Sequence, residues 1–360
     1  MKPADIADLR MRNLRLSGTP MKNAEEVVRW LGAVQSQEFG PAKWSIAERS
    51  RGVRDETLDA MYEDGTILRT HVLRPTWHFV LPEDIGWMLD LTGERVRRAM
   101  SHYDRRLGIE PAETKRCNRL IAKALTREGR LTRQELRAAL NKAGVEAQGQ
   151  RLNHIVINAE QHGVICSGGL RGKKHTYALL EERAPNAKRL SRDEALAELT
   201  RRYFTSHGPA TAKDFRWWAS LTLTDIKRGL EMVGSGLETE TIDGIAYWFP
   251  PTGVRRRPNG PRVHLLQPYD EYVVAYTESR YWLDISGEAR KRFPVIFSGS
   301  IALDGQIAGS YERTLSDDAV LVEATLFRPF NGTEMKQLRD AVGRLGTFLG
   351  LKGQLLTARS

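Results

Sequence analysis

The chain of 360 residues is poor in cysteine and has no recognisable metal-binding motif. Cys117 and Cys166 are its two cysteines, and neither a CxxC motif nor a Cys/His pair at zinc spacing occurs. The N-terminus lacks an apolar signal-peptide region, and no apolar run approaches the length that spans a membrane. These absences predict a cytoplasmic protein with neither a metal nor a membrane partner.

Acidic residues are outnumbered by basic ones, so the formal net charge is +10 and the pI is about 9.6. This excess favours a polyanionic partner, nucleic acid before a membrane, because neutralised phosphates release counterions. Ribosome association and simple solubility are competing explanations. The length predicts two to four domains, and the 41% hydrophobic content is typical of a folded protein.

A pattern of three helices followed by a β-hairpin is clearest after Pro111. The first helix begins there, Thr132 and Glu135 form a capping box for the second, and the third spans residues 150–161. A hairpin with a basic turn follows the third helix. This order of elements is that of a winged helix.

The same order is predicted twice more. Near the N-terminus, helices and a hairpin span residues 4–81, and a later copy begins at about residue 195. In the later copy Thr224 is expected to cap a helix, and Asp243-Gly244 predicts a hairpin turn. After residue 262 the pattern changes to strands, with a last helix over residues 333–349.

The sequence therefore predicts an α+β fold of three tandem winged-helix domains followed by a small, barrel-like C-terminal β domain with a closing helix. The predicted boundaries are 1–82 for winged helix 1, 83–110 for a helical connector, 111–185 for winged helix 2, 190–250 for winged helix 3 and 262–360 for the β domain. The arginines of the connector are expected on a solvated helix face.

Gln35-Ser36-Gln37 lies where an amphipathic helix gives way to a predicted Gly40-Pro41 break. In an extended or turn segment residues i and i+2 share a side, so two neutral amides point towards one place. Each amide offers an acceptor and donors, and the pair is suited to holding water beside a bond that is primed to break. The glycosidic bond of an N7-alkylated purine is such a bond, because its leaving base is neutral. The alternative is that both glutamines cap a helix end.

Arg74-Pro75-Thr76-Trp77-His78 lies at the first predicted hairpin. Thr76, Trp77 and His78 are candidate contacts to a lesion, its sugar or a phosphate. The alternative is a buried tryptophan beside a hydrogen-bonded histidine. His71 and His78 have no third ligand at convincing spacing, so they predict no metal site.

Two further segments each have two interpretations. Tyr269-Asp270-Glu271 is either an acid–base cluster or an architectural turn carrying a domain-interface network. The loop over residues 250–261, which contains Arg255, Arg256 and Arg257, is either a linker or a DNA-contacting loop.

Taken in order, these segments resemble the AlkZ/YcaQ-type family of winged-helix interstrand-crosslink DNA glycosylases. The resemblance covers nearly the whole chain. It rests on Gln35-Ser36-Gln37, on Arg74-Pro75-Thr76-Trp77-His78, on residues 208–211 and 214–218, on residues 268–272 and on Asp304-Gly305. The family motif, Gln-hydrophobic-Gln or Gln-hydrophobic-Asp, matches Gln35 and Gln37. Ser36 departs from the hydrophobic middle position, and Gln37 resembles the AlkZ form.

The resemblance implies a monofunctional DNA glycosylase that removes bulky or crosslinked N7-alkylguanine from double-stranded DNA, in repair or in alkylator self-resistance. No cofactor is implied, and we expect a cytoplasmic, nucleoid-associated monomer. Gln37 would position water with Gln35 as its partner. Candidate lesion contacts are Arg74, Thr76, Trp77 and His78, and candidate phosphate contacts are Arg171, Lys173, Lys174, Arg255, Arg256 and Arg257.

The alternative from another functional class is a non-catalytic winged-helix DNA-binding protein or transcriptional regulator. It explains the charge and the repeats equally well, but it gives the glutamine turn no purpose. A regulator of this type typically dimerises on a palindromic site, and the sequence contains neither a heptad repeat nor an obvious dimerisation helix.

Overall fold

A computed structural model describes residues 3–251, 262–292, 294–295 and 297–359. The predicted α+β class is confirmed. Two compact units are present, each discontinuous in sequence. Unit 1 comprises Met1–Leu58, Ala197–Trp218 and Thr222–Ser360, and unit 2 comprises Asp59–Leu196 and Ala219–Leu221. The division of the chain into five sequence segments remains a prediction.

Helices occur throughout the described residues, with strands between many of them. They are α1 (Pro3–Asn13), α2 (Ala24–Leu31), α3 (Phe39–Ala47), α4 (Asp55–Asp64), α5 (Pro82–Arg106), α6 (Pro111–Glu128), α7 (Arg133–Lys142), α8 (Gly149–Gln161), α9 (Leu180–Arg183), α10 (Arg192–His207), α11 (Ala212–Ala219), α12 (Leu223–Val233), α13 (Glu271–Val274), α14 (Glu288–Arg292) and α15 (Gly332–Leu349). Short 3-10 helices occur at Gly234–Gly236 and Arg280–Leu283.

The strands up to β10 have at most seven residues, and the last three are longer. They are β1 (Val34–Gln35), β2 (Leu68–His71), β3 (Trp77–Val80), β4 (Leu131–Thr132), β5 (Ile165–Arg171), β6 (Lys174–Leu179), β7 (Glu238–Ile242), β8 (Ile245–Phe249), β9 (Val263–Leu266), β10 (Ser300–Leu303), β11 (Gln306–Leu315), β12 (Ala319–Leu326) and β13 (Lys352–Arg359).

Unit 2 has its core between α6, α7, α8 and a three-stranded sheet in the order β4-β6-β5. The predicted succession of three helices and a hairpin is confirmed here. The predicted capping box is also present, since the Thr132 side chain accepts from the Glu135 amide and Glu135 accepts in return. The buried apolar side chains that form this core include Ile121, Leu125, Leu136, Leu140, Leu152, Ile155, Val156 and Ile165.

The connector helix α5 carries the predicted run of arginines in unit 2. Arg95, Arg98, Arg105 and Arg106 are exposed, as expected of a solvated face. Arg97 is the exception, because its guanidinium is half-buried and donates to the Gln161 carbonyl over 2.7 Å.

The later hairpin, β7–β8, is built as predicted across Asp243-Gly244 in unit 1. Both turn residues have positive φ, 51° and 78°, which is the requirement of the tight turns that suit twisted strands. The predicted helix cap is wrong by two positions. Thr222, and not Thr224, accepts from the Asp225 amide and forms a capping box with it, so α12 begins at Leu223.

The C-terminal part of unit 1 is a five-stranded sheet in the order β9-β10-β11-β12-β13, with α15 packed on it. Strand β13 was not predicted; it runs parallel to β12 and follows α15 after Gly350, whose φ is 70°. Strand β10 begins at Ser300, in the part of the chain after residue 262 where strands were predicted. Gly346 of α15 and Gly353 of β13 bring helix and strand backbones so close that a Cβ on either residue has no room.

The cap of α12 is testable by a matched pair of threonines. Replacing Thr222 by Ala removes the acceptor for the Asp225 amide, so we expect the free energy of unfolding to fall by about 1 kcal/mol. Thr224→Ala alters an exposed residue inside the same helix and should change the free energy of unfolding by less than about 0.5 kcal/mol. Denaturant unfolding of both variants is the measurement, and a larger loss for Thr224→Ala would contradict the assignment.

Candidate active site

The glutamine motif lies between two helices of unit 1. Helix α2 ends at Leu31 because Gly32 takes a φ of 81°. Strand β1 then includes Gln35, and a bend carries the chain to α3. The predicted Gly40-Pro41 break is wrong, since both residues lie in the first turn of α3, where proline needs no amide partner. Gln35 is nevertheless extended in β1, and Gln37 lies in the bend that follows it.

Burial distinguishes the three residues of the motif. Gln35 is 3% exposed and Ser36 is fully buried, whereas Gln37 is half-buried. Of the two amides, that of Gln37 is therefore the more accessible to a ligand. This arrangement allows Gln37 to meet water or substrate while Gln35 supports it from the interior.

A buried carboxylate lies directly behind the motif. Glu271 of α13 is fully buried, and its Oε1 accepts the backbone N–H of Gln35 over 2.8 Å. Its Oε2 accepts Nε1–H of Trp218 over 2.9 Å and lies 3.3 Å from Nε2 of His207. Glu271 thus connects the motif to α10 and α11, although their residues are remote in sequence.

The preceding residue, Asp270, anchors helix α3. Arg49 donates to both carboxylate oxygens of Asp270, over 2.7 and 2.9 Å, and the hydroxyl of Ser45 donates to the same carboxylate. Both charged partners are buried. Arg49 also donates to the carbonyls of Leu14 and Ser45. These contacts favour the architectural interpretation of Asp270.

Tyr269 completes this segment with an unusual backbone. Its φ is 65°, a left-handed conformation that is strained for a residue with a Cβ. Its ring meets Phe297, which is 61% exposed, edge to face with centroids 5.6 Å apart. Partial burial and then the nearby Glu38 carboxylate raise the pKa of Tyr269 above its usual value. An aromatic pair therefore lies near the residue that follows Gln37.

The hairpin candidates lie in unit 2, and two of them are interior residues. Nε2 of the buried His78 accepts from the buried Arg74 over 3.1 Å, and its Nδ1–H donates to the Thr76 carbonyl over 2.9 Å. Both ring nitrogens are thereby used, as in the predicted alternative of a hydrogen-bonded histidine. Thr76 and Trp77 are half-buried, and the Trp77 ring lies 4.4 Å from both His71 and the Arg69 guanidinium.

His71 is part of a separate buried pair. Its Nδ1 lies 2.5 Å from Oε2 of Glu160, and its backbone carbonyl accepts from the Gln161 side chain. Among the residues that the structure describes, no cluster of three or more His, Cys, Asp and Glu side chains is arranged to hold a metal ion. Within the same residues, no helix is both long and apolar enough to cross a membrane.

The basic turn between β5 and β6 presents two unpaired lysines. Lys173 and Lys174 are exposed and have no side-chain partner in the part of the chain that the structure covers. Arg171 differs, because its guanidinium contacts Glu135 over 2.8 Å and the Arg130 carbonyl over 2.8 Å. Burial and then Arg69 lower the pKa of His175 to about 4, so this neighbour adds no charge at neutral pH. Arg255, Arg256 and Arg257 lie outside the described residues.

Comparison with known proteins identifies the family. Residues 28–348 match the family model described as DNA glycosylase AlkZ-like. The chain belongs to this family. An interstrand DNA cross-link repair glycosylase of Streptomyces sahachiroi is 27% identical over 350 residues, which cover 90% of each chain. The solved structure of the S. sahachiroi DNA glycosylase AlkZ shares the fold, with a TM-score of 0.80, 21% identity and 99% of both chains covered.

Several residues that surround the glutamine motif were not predicted from the sequence. Neither Arg49 nor His207 stands out in the sequence, because a lone basic residue and a lone histidine are common in any protein. Trp218 belongs to the stretch 214–218 that carries the family resemblance, but nothing in the sequence links it to Glu271. The one available signal was the Asp270-Glu271 pair, whose two carboxylates in a turn require partners.

The Arg49–Asp270 pair is expected to hold the segment that contains Glu271. Asp270→Ala leaves a buried guanidinium without its partner and should lower the free energy of unfolding by about 3–5 kcal/mol. Lys213→Ala is the control, because its pair with Glu278 is largely exposed on the lysine side and should cost at most about 1 kcal/mol. Chemical denaturation measures both, and equal losses would show that Asp270 has no special structural role.

Proposed function

We propose that the protein is a monofunctional DNA glycosylase that hydrolyses the N-glycosidic bond of bulky or crosslinked N7-alkylguanine. The observation that carries the proposal is the half-exposed Gln37 beside the buried Gln35, in an extended turn of a chain that belongs to the AlkZ-like DNA glycosylase family. The name of the S. sahachiroi relative, an interstrand DNA cross-link repair glycosylase, supports the substrate class.

The chemistry suits amides because the substrate supplies most of the driving force. Alkylation at N7 makes the guanine cationic, and when the C1′–N9 bond breaks its electron pair neutralises the departing base. The sugar becomes cationic at C1′, as in other glycoside cleavages. The oxygen of one water then bonds to C1′, and a proton is released. The products are an abasic site and a neutral alkylguanine, and no strong general acid is required.

The two glutamines take different roles in this proposal. The Gln37 amide oxygen accepts a hydrogen bond from the attacking water and directs the water oxygen towards C1′. Gln35 is 3% exposed and supports this geometry from the interior side of the motif. Neither amide takes the water proton, since an amide is not a base at neutral pH, so the proton leaves after the C–O bond forms.

Lys43, six positions after Gln37, is the lysine nearest to the motif in sequence. Lys43 of α3 is 4% exposed, and its Nζ lies 2.8 Å from Oδ1 of Asp55. An ammonium group held by a carboxylate is not the free amine that a Schiff base needs. We therefore expect no lyase step, and treatment with borohydride should trap no covalent adduct with DNA.

The proposed DNA contacts fall into three groups. Lys173 and Lys174 contact phosphates, and Arg171 orients the turn that carries them through its pair with Glu135. Thr76 and Trp77, which are half-buried, contact the lesion or its sugar, and the buried Arg74 and His78 position their hairpin. Arg255, Arg256 and Arg257 remain candidate phosphate contacts.

Gln37→Ala is the direct test of the proposed catalytic role. Water positioning acts chiefly in the transition state, so we expect single-turnover base release to fall by about 100-fold or more while DNA affinity is retained. The substrate is an N7-alkylated duplex, with abasic sites revealed by alkaline cleavage. Gln337→Ala, at a half-buried glutamine of α15, is the control and should excise at the wild-type rate. Wild-type excision by Gln37→Ala would refute the assignment.

Salt dependence tests the proposed phosphate contacts. Each lost phosphate contact reduces the slope of log K against log salt by about 0.9, so replacing Lys173 and Lys174 together by Ala should flatten it by up to about 2. Replacing Lys115 and Lys123, two exposed lysines of α6, removes the same charge elsewhere and should leave the slope nearly unchanged. Equal slopes for wild type and the Lys173/Lys174 variant would remove this turn from the DNA-binding face.

Sequence-specific binding to intact DNA without base release would instead indicate a regulator.

A further inference from the structure

We propose that Glu271 is the positioning residue of the glutamine motif and supplies, from behind it, the negative charge that two amides lack. The inference rests on the proposed glycosylase function. It starts from the hydrogen bond of 2.8 Å between the Gln35 backbone N–H and Oε1 of Glu271, a fully buried residue.

Two of the groups around Glu271 are donors that favour its carboxylate form. A backbone N–H and an indole N–H donate but cannot accept, and they approach different oxygens, Oε1 from Gln35 and Oε2 from Trp218. Both oxygens therefore act as acceptors. Hydrogen bonds of this kind favour the charged form of a carboxyl group, and a buried carboxylate needs several of them.

The carboxylate is also held rigidly in unit 1. Asp270, which Arg49 holds, caps the short helix α13 that begins at Glu271. On the other side, the His207 ring stacks on Tyr203 with 4.9 Å between centroids and an interplanar angle of 11°. A charge fixed in this way does not have to reorient when the reaction begins, which is the condition for efficient electrostatic stabilisation.

The charge has a specific task in the proposed reaction. Cleavage transfers positive charge from the purine to the sugar, and Gln35-Ser36-Gln37 contains no group that carries a compensating charge. The Glu271 carboxylate is one hydrogen bond from the Gln35 backbone and is shielded from water, so salt and solvent screen it little. Glu38 is closer in sequence to Gln37, but it is exposed and its field is correspondingly weaker.

Glu271→Gln removes the charge and keeps the size of the side chain. We expect single-turnover base release from an N7-methylguanine duplex to fall at least about tenfold, or roughly 1.4 kcal/mol in the barrier, with DNA affinity unchanged. Glu38→Gln should stay within about twofold of wild type. Glu48→Gln, which removes another buried carboxylate of unit 1, bonded to His264 and Arg344, should affect stability more than excision.

The decisive measurement uses a variant, Gln37→Asp, that carries the negative charge in the motif itself. If Glu271 acts through its charge, Gln37→Asp should compensate, so that Glu271→Gln costs less than about threefold in the Gln37→Asp background. A purely structural residue would cost the same in both backgrounds, and that result would overturn the inference. Absence of base release by the wild type would instead refute the proposed function.

A second substitution covers the case in which Glu271→Gln does not fold. Glu271→Asp keeps the charge but shortens its reach by one methylene group. We expect it to excise at more than about a tenth of the wild-type rate, since the electrostatic contribution remains. A folded Glu271→Asp variant with a lower rate would overturn the role of the charge. Melting temperatures of all variants separate the loss of fold from the loss of catalysis.

Discussion

Unit 1 depends on two adjacent carboxylates that face in different directions. The Asp270 carboxylate accepts hydrogen bonds from Arg49 and Ser45, at and just after α3. The Glu271 carboxylate accepts hydrogen bonds from the Gln35 backbone N–H and the Trp218 indole N–H. Burying either charge is unfavourable unless every oxygen has a partner. One short segment thus fixes both the helix that follows the glutamine motif and the strand that contains it, and the position of Gln37 follows from these two constraints.

This dependence explains how a site made of neutral side chains can be well defined. An amide is neither an acid nor a base at neutral pH, so its value in catalysis comes from hydrogen bonds that are held in place rather than from its own reactivity. The backbone of Gln35 is bonded to a rigid carboxylate, and Phe39 begins a helix that is anchored through Arg49. Gln37 therefore lies between two anchored segments, the Gln35 backbone on one side and the first turn of α3 on the other.

Most of what local signals specify was predicted from the sequence, apart from the cap at Thr222 and the start of α3, and what distant partners specify was missed. The Thr132 capping box and the Asp243-Gly244 turn depend on residues within a few positions, and both are confirmed. The bonds from Gln35 to Glu271 and from Arg49 to Asp270 span 236 and 221 positions. Neither the periodicity nor the residue spacing of a sequence predicts pairs that lie so far apart. Strand β13 was missed similarly, because its partner β12 is determined by packing on α15.

The same constraint links stability and activity in this AlkZ-like chain. Tyr269 has a left-handed backbone, and the two residues after it are buried carboxylates, so the segment is strained and highly charged at once. Such a segment persists only while its surroundings hold it. Loss of any one partner therefore weakens the fold and displaces the motif together. It follows that a substitution in residues 269–271 is informative about catalysis only when the excision rate is compared at equal folded fraction, which is why charge and geometry must be separated at Glu271 itself.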